Sequence, residues 1–532
     1  MEGGSGPGEG SQRGASDEVL LSGVFSLVPA LKTDYALSLT RGAELLMCRQ
    51  GAAPDSPAAR LLLSDCIGCY AFQSKGQQQQ QQHPAAAYFT VFCYPLKKGW
   101  WDSGEARHRV AKTFRVLASQ EAEENRAVAE TWASKIRELS APRIPKLEGA
   151  VYGHLPWPCQ VMVLLNPHSG AGQALHLFKT QVQPMLTEAN IAFSMFITEK
   201  HRHAWELVRE ENLSRWDALV TMAGDGLLYE VINGLMERPD WETAIQKPLC
   251  ILPAGSGNAI AASLNYYAAK ICLLKEELLM SCTYFLCKGL HAPMDLVSLR
   301  TASGKRLFSF LSFSWGFVSD VDITSERYRK LGRARFTLGT LQLLTTLHVY
   351  KGRLSYLPAE EPSSMSSQGE HSRLSAQNAK QVSLCNGKPV PSHPQQGCAL
   401  EDPLLVPFDQ PLPKDWMVVP EEEFVSIVCI YQSHLGTDLL LAPQAKLYND
   451  AIHLFYMTAG VSRMGMIKFF MALEKGAHLT LNCPYLHYVP VKAFRLEPFT
   501  LKGDMTVDGE VLACEPVQGQ IHRRISHIIT GS

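Results

Sequence analysis

Long apolar runs are missing from this chain. No uninterrupted stretch reaches the roughly 18 residues that span a bilayer, and the opening MEGGSGPGEGSQRGASDE lacks the basic and apolar regions of a secretory signal. A soluble intracellular protein is expected, one that meets a membrane only at its surface. Charge imbalance is missing as well. Fifty Lys and Arg stand against 51 Asp and Glu, a net charge of −1, which argues against a general nucleic-acid binder. Paired metal-type cysteines are missing too. The 14 cysteines are scattered, and without a signal they read as reduced, mostly buried thiols. Cys66 and Cys69 form a CxxC, but no second pair stands at a metal-ligand spacing, so strand-core cysteines are expected. GxxxxGK[ST] is absent, which excludes a Walker-type phosphate loop. What is present is 532 residues with 46% apolar and 19% charged content, enough for two or three globular domains.

Residues 1–17 read as a flexible Gly/Ser/Glu leader. From 18 to 142, short β-rich runs follow one another: VFSLV, YALSLT, ELLMCR, RLLLSDCIGCYAF, AYFTVFCYPL and RVAKTFRVL. The glutamine tract Gln77 to Gln82 is expected as a disordered loop among them. EAEENRAVAETWASKIREL then places Val128, Trp132, Ile136 and Leu139 on one helical face. Antiparallel strands closed by a helix with a buried tryptophan resemble a pleckstrin-homology domain. That resemblance implies a phosphoinositide or a protein as partner, with Lys97-Lys98 as the evident basic cluster.

A Pro-rich joint, APRIPKLEG, leads into 157–294, where strands and helices alternate. Alternation of that kind implies a parallel sheet covered by helices. Pro184 should kink the first of these helices. From 295 to 532 the runs turn β-rich again, with apolar helices near Phe336–Val349 and Ser462–Lys475, and a β-sandwich-type half is expected. Within it residues 359–412, rich in Ser, Gln, Pro and Gly, read as a disordered insertion.

Three Gly-rich joints in the α/β stretch each follow an apolar run: NPHSGAGQA (166–174), AGDG (223–226) and PAGSGNA (253–259). In an open α/β sheet the ligand crevice lies at the carboxyl ends of the strands, and backbone N–H groups at helix N-termini make a phosphate site there. Asp225 sits between two glycines at such an end. It is either a helix cap or a carboxylate beside which glycine admits a bulky ligand.

NPHSGAGQA, AGDGLLYEVINGL and PAGSGNAIAASL together resemble the diacylglycerol-kinase superfamily of lipid kinases. SFSWGFVSDVDITSERYRKLGRARFTLGT, SHLG, MALEKGAH and VDGE narrow the resemblance to the sphingosine kinase family, over about residues 157–357 and 413–530. The N-terminal extension and the insertion look like the longer of that family's two types. The resemblance implies an α/β nucleotide-binding domain joined to a β-sandwich lipid-binding domain, with ATP and Mg2+ as cofactors. It also implies sphingosine and related sphingoid bases as substrates and transient contact with a membrane surface. The location it implies is the cytoplasm with recruitment to membranes, extending to the nucleus and mitochondrial or ER membranes.

Phosphorylating an alcohol needs an aligned hydroxyl, a held γ-phosphate and neutralised charge. The resemblance makes Asp225 the catalytic base, with Ala223, Gly224 and Gly226 beside the substrate. It lays ATP along Asn166, Pro167 and His168, then Thr198, Glu199, Lys200, His201 and Arg202, then Glu230, Gly255, Ser256 and Gly257. Arg329, Arg335, Asp508, Gly509 and Glu510 complete that set. Arg329 and Arg335 suit phosphate as guanidinium partners, although ERYRKLGRARF alone reads as a basic helix face, and Asp-Gly of VDGE alone reads as a hairpin turn. SDVD bears on the substrate. Diacylglycerol and ceramide carry no ammonium, a sphingoid base does, and a carboxylate would pair it. In a strand Asp320 and Asp322 share a face; resemblance gives the headgroup to Asp322 and leaves Asp320 a structural part. For the lipid tail, Phe317, Phe336, Thr340, Leu435, Leu439, Phe455, Phe470 and His478 match the family's pocket, whereas singly each reads as ordinary core or surface. The chain departs from its relatives at Ala171 and Gln173 in the first loop, at Ala223 and at Tyr229. A diacylglycerol or ceramide kinase, or a catalytically silent lipid-binding scaffold, stays open as an alternative. The sequence does not fix the magnesium ligands.

Overall fold

The computed structural model describes residues 18–29, 33–51, 59–73, 84–98, 105–142, 152–269, 273, 275–331, 334–359 and 400–531, with backbone alone at 269, 275, 329–331 and 334–336. The expected leader, the glutamine tract, most of the Pro-rich joint and residues 360–399 of the expected insertion lie outside them.

Strands β1 (Val19–Val28), β2 (Asp34–Thr40), β3 (Glu44–Arg49), β4 (Ala59–Leu62), β5 (Cys66–Gln73), β6 (Ala87–Cys93) and β9 (Val110–Val116) form an antiparallel sheet in the order β4-β3-β2-β1-β9-β6-β5. A small hairpin, β7 (Leu96–Lys98) and β8 (Glu105–Arg107), stands beside it. Helix α1 (Ala122–Ser140) closes the sheet. Trp132 meets Phe25 and Phe89 at centroid distances of 5.2 and 5.9 Å, the centre of a separate apolar core. Buried Asn125 fixes the start of α1: its Oδ1 accepts from the Ala118 and Ser119 amides at 2.8 and 3.0 Å.

The next layer is parallel. β10 (Gly153–His154) leads to β11 (Cys159–Leu165), and β12 (Ile191–Ile197), β13 (Ala218–Ala223) and β14 (Leu249–Pro253) join it in the order β12-β11-β13-β14. The order reverses between β11 and β13, the position at which open α/β sheets bind ligands. The helices are α2 (Ala174–Leu177), α3 (Gln183–Glu188), α4 (His203–Glu210), α5 (Asp225–Met236), α6 (Trp241–Ala244), α7 (Ala259–Ala269) and α8 (Lys275–Lys288). Between α2 and α3 the chain makes a π turn, Phe178–Val182, just before Pro184, which has no N–H to continue a regular ladder.

The C-terminal half is β-rich. β15 (Leu290–Thr301), β16 (Arg306–Ser309) and β17 (Ser312–Gly316) precede helices α9 (Phe317–Ser325) and α10 (Ala334–Leu344). β18 (Tyr350–Pro358), β19 (Met417–Val418), β20 (Glu423–Ile430), β21 (His434–Gly436), β22 (Leu439–Leu440) and β23 (Ile452–Thr458) follow. Helix α11 (Arg463–Leu473), β24 (Leu486–Pro498), β25 (Met505–Val507), β26 (Glu510–Leu512) and β27 (Val517–Ile529) complete it. β27 pairs parallel with β14 and antiparallel with β15 and β24, so one continuous sheet runs through both halves. The expected boundary between 294 and 295 therefore falls inside β15.

Two expectations are corrected. SDVD lies in helix α9, not in a strand, because Phe317, Val321 and Ser325 are buried at a spacing of four. Residues 400–412 do not belong to a coreless insertion. Asp402, its side chain 1% exposed, takes hydrogen bonds from Ser298 at 2.7 Å and Arg306 at 2.8 Å, and contacts Arg300 and His522. Buried Arg495 donates to the Val406 carbonyl at 2.5 Å. No helix among the described residues is long and apolar enough to cross a membrane.

The N-terminal sheet is docked on the parallel layer. Glu188 at the end of α3 accepts from the Tyr94 hydroxyl at 2.7 Å and from Arg109 Nε at 2.6 Å. On α8, Lys288 Nζ donates to the Cys66 carbonyl at 2.9 Å and Tyr284 Oη to the Ser64 carbonyl at 2.6 Å.

Candidate active site

The three glycine joints meet at the ends of β11, β13 and β14, and their glycines face one another. Gly170 has φ +56°, and a Cβ there would stand 2.5 Å from the Ala254 carbonyl oxygen. A Cβ on Gly255 would overlap the Gly224 Cα and lie 2.7 Å from its nitrogen, and one on Gly226 would lie 2.6 Å from Glu510 Oε1. Glycine is thus required here for loop to pack on loop. Ligand approach, the role the sequence suggests for these glycines, is joined here by a packing one. The Thr437 hydroxyl, from the C-terminal half, donates to the Gly257 carbonyl and ties the third loop to the other side of the site.

Asp225 begins α5, yet it caps a different helix. Its Oδ2 accepts from the Ala259 amide at 2.8 Å and Oδ1 from the Ile260 amide at 3.2 Å, the first N–H groups of α7. These bonds fix the carboxylate's direction. Burial raises its pKa above the ordinary value, against the Ala259, Ile260 and Asp225 amides that pull it down. Glu230, five residues on, does the same for α4, accepting from the Arg202 and Ala204 amides at 3.0 and 3.2 Å.

These groups line a cavity of about 730 Å³. At its polar end stand Asn166, His168, Thr198, Glu199, Lys200 and His201, with Ala223, Gly224, Asp225, Gly226 and Glu230 beside them. Gly255, Ser256, Gly257, Asp508, Gly509 and Glu510 complete that end. Pro167 and Arg202 are not on the wall; the Arg202 guanidinium lies 3.8 Å over the Trp205 ring. Asp508 and Gly509, at φ 51° and 86°, do form the hairpin turn between β25 and β26. The Asp508 carboxylate is buried and already engaged, accepting from Ser309 Oγ at 2.6 Å and from the amides of Phe310, Leu311 and Ser312 at 3.1, 3.0 and 2.9 Å. Burial pushes its pKa up to about 7 against those four donors. From its place on the wall the carboxylate thus holds the 309–312 loop.

Where the polar end meets the apolar one, Asp322 lies beside the Asp508-Gly509 turn, its Oδ2 3.6 Å from where a Gly509 Cβ would be. Two residues apart on a helix, Asp320 and Asp322 point about 200° from each other, so they do not share a face. Asp320 turns away from the cavity to the Tyr350 hydroxyl and the Asp504 amide. Thr340, Leu435, Leu439 and Phe470 line the apolar end. Phe317, Phe455 and His478 do not touch the cavity and form the layer behind it. Phe317 meets Phe470 at 5.8 Å, and His478 meets Phe455 at 5.7 Å. Burial lowers the His478 pKa to about 4, so the ring is neutral. The side chains of Arg329, Arg335 and Phe336 lie outside the described residues.

Sequence reading missed Val318, Val321, Thr337, Leu344, Ile467 and Met471 on the same wall. Their signal was helical spacing: each stands one, three or four residues from a residue already picked out by resemblance. Among the described residues no group of three or more His, Cys, Asp or Glu side chains is placed to hold a metal ion. A hard divalent cation that keeps one or two carboxylates and completes its shell with phosphates and water still fits such a wall, with Asp225 and Glu510 the carboxylates nearest the glycine loops.

Residues 160–297 match the family described as "Diacylglycerol kinase catalytic domain". Human sphingosine kinase 1 is 51% identical over 383 residues, covering 72% of this chain and 94% of its own length. The mouse sphingosine kinase 1 is 50% identical over 380 residues, 71% of this chain and 93% of its own. Human sphingosine kinase 2 is 37% identical across 97% of this chain and 92% of its own, so its likeness extends through the N-terminal sheet. With relatives at these identities covered over nearly their whole length, the chain belongs to the sphingosine kinase family.

Proposed function

We propose that this protein transfers the ATP γ-phosphate to the primary hydroxyl of sphingosine and related sphingoid bases. The single observation that carries the site assignment is that one cavity holds both ends of that reaction. Glycine loops and helix N-termini flank Asp225 at one end, helices α9, α10 and α11 present apolar side chains at the other, and Asp322 stands between them beside the Gly509 turn. ATP lies with its phosphates on the loop amides, as anions do at helix N-termini. Asp225, its direction fixed by the α7 amides, accepts the proton of the attacking hydroxyl as the O–P bond forms, and ADP leaves. Asp225 or Glu510, together with the phosphates, would hold a magnesium ion, which would supply neutralisation of the phosphate charge. Asp322 pairs the ammonium of the sphingoid base, and the tail runs along Phe470, Leu435 and Leu439. A ceramide or diacylglycerol presents no cation to that carboxylate. The β-rich C-terminal half serves as the lipid-binding, sandwich-type domain, and the N-terminal sheet closed by α1 as a pleckstrin-homology-like module for a protein or phosphoinositide. The enzyme works in the cytoplasm and collects its substrate by transient contact with membranes.

The test is incubation of the full chain with γ-labelled ATP, magnesium and a panel of sphingosine, dihydrosphingosine, ceramide and diacylglycerol. Label on the sphingoid bases alone is expected. Label on ceramide or diacylglycerol would keep Asp225 and discard Asp322 as selector; no label would leave a silent lipid-binding scaffold.

A further inference from the structure

Asp322 faces the cavity from α9, and the turn of helix that precedes it carries a dense set of hydrogen bonds to the surrounding strands. Ser319, fully buried, stands 2.8 Å from Ser314 Oγ on β17 and 3.2 Å from Thr506 Oγ1 on β25, and those two are 2.8 Å from each other. The three hydroxyls close a ring that ties the helix to two strands. One residue on, Asp320 accepts from the Tyr350 hydroxyl at the start of β18 and from the Asp504 amide at 3.3 Å. Tyr350 is itself held by the Trp315 ring at 5.6 Å. The amide of Val318 donates to Ser426 Oγ at 3.4 Å. Consecutive residues 318, 319 and 320 are thereby fastened to four different strands. A helix held at that density cannot roll about its axis, and rolling is the motion that would carry Asp322 along the cavity wall.

We infer that Ser319, Asp320 and Tyr350 are positioning residues for the substrate headgroup: they fix the rotation of α9 and so the place at which Asp322 meets the ammonium. The inference rests on the proposed pairing of Asp322 with that cation. Asp320 and Tyr350 lie off the cavity wall, while Ser314 and Thr506 are on it, so loss of the Tyr350 bond should be felt by the lipid far more than by ATP. Displacement of a charged group by an ångström is enough to weaken binding and rate by large factors.

The experiment measures kcat and KM for sphingosine and for ATP, on the full chain, with Tyr350→Phe, Ser319→Ala and Asp322→Asn in parallel. N-acetylsphingosine serves as the uncharged comparator. Tyr350→Phe keeps the ring on Trp315 and removes only the hydroxyl. Expected is a rise of about fivefold or more in sphingosine KM for both variants, ATP KM within about twofold, and a narrowed preference for sphingosine over its N-acetyl form. General loosening of the fold would move both KM values and leave that preference intact, which would overturn the inference. If Asp322→Asn narrows the preference while both other variants behave as wild type, the positioning role fails and the headgroup reading stands. If Asp322→Asn leaves the preference unchanged, the headgroup reading itself falls. Should Tyr350→Phe not fold, Ser319→Ala gives the same reading from the other side of the clasp.

Discussion

Asp225→Asn separates two roles that one side chain holds together. The carboxylate caps α7 through the Ala259 and Ile260 amides, so the asparagine keeps one oxygen acceptor and turns an N–H toward the second amide. Loss of a cap bond of this kind costs about 1–2 kcal/mol of stability. As a base, loss of the carboxylate should lower kcat by about 10²–10⁴, equivalent to about 3–5 kcal/mol of barrier. Denaturant unfolding and labelled-ATP turnover on the same preparation read both. A drop in turnover far larger than the stability loss explains is expected, with ATP binding retained. Turnover within about threefold of wild type would show that Asp225 is a cap and no more. The pH profile adds an independent check. Because burial raises the folded pKa, folding takes up a proton at this group. Its contribution to stability is complete below the ordinary carboxylate pKa and is lost as pH rises through the raised one. Activity needs the ionised form, so the acid limb of kcat/KM should lie above the ordinary carboxylate range and vanish in the asparagine variant.

Gly255→Ala forces a Cβ into the Gly224 backbone; overpacking of this kind costs about 1–3 kcal/mol, and isothermal titration should show ATP binding weakened while a bound sphingosine analogue is little affected. Asp402→Ala leaves Arg306 and His522 without their shared carboxylate, which should cost about 3–5 kcal/mol and open residues 400–412 to limited proteolysis. Although burial opposes it, hydrogen bonds from His522 and Ser298 and the Arg306 and Arg300 guanidiniums hold the Asp402 carboxyl below its usual range. Its contribution is therefore present above the ordinary carboxylate pKa and lost on acidification below it, a loss that the alanine variant should not show. Glu188→Gln weakens the bonds to Tyr94 and to the half-exposed Arg109. About 1–2 kcal/mol of docking should go, read as faster hydrogen exchange in the N-terminal sheet at unchanged kcat.

The parallel layer was legible because each glycine joint follows an apolar run, a local signal. What escaped was long-range. SDVD alternates like a strand over four residues, and only the wider window from Phe317 to Ser325 shows the spacing of four that makes it helix. Asp508 sits in an ordinary Asp-Gly turn, and its four donors lie at residues 309–312, nearly two hundred positions earlier. Asp402 is embedded in a composition that cannot build a core, yet its partners, Arg300, Arg306 and His522, are supplied by strands about a hundred residues away on either side. Composition describes what a segment can do alone and is silent about what a distant sheet does for it. The cap by Asp225 was foreseen as a possibility for its own helix; that the helix is α7 depends on loops meeting in space.

The strand β27, antiparallel to β15 along one edge and joined along the other to β24 near its start and parallel to β14 near its end, has a mechanical consequence. A cleft between two separately folded lobes can open and shut about a hinge. Here the two walls of the cavity stand on one sheet, and swinging one lobe from the other would break the backbone pairs where β14 meets β27 and β10 meets β15. Exchange of substrate and product is then expected to use parts that hang from the sheet without belonging to it. Helices α10 and α11, which border the apolar end and carry the exposed Leu341 and Met471, are the parts so placed. If the sheet is the fixed frame, hydrogen exchange on addition of sphingosine should slow in α10 and α11 and stay unchanged in β14 and β27.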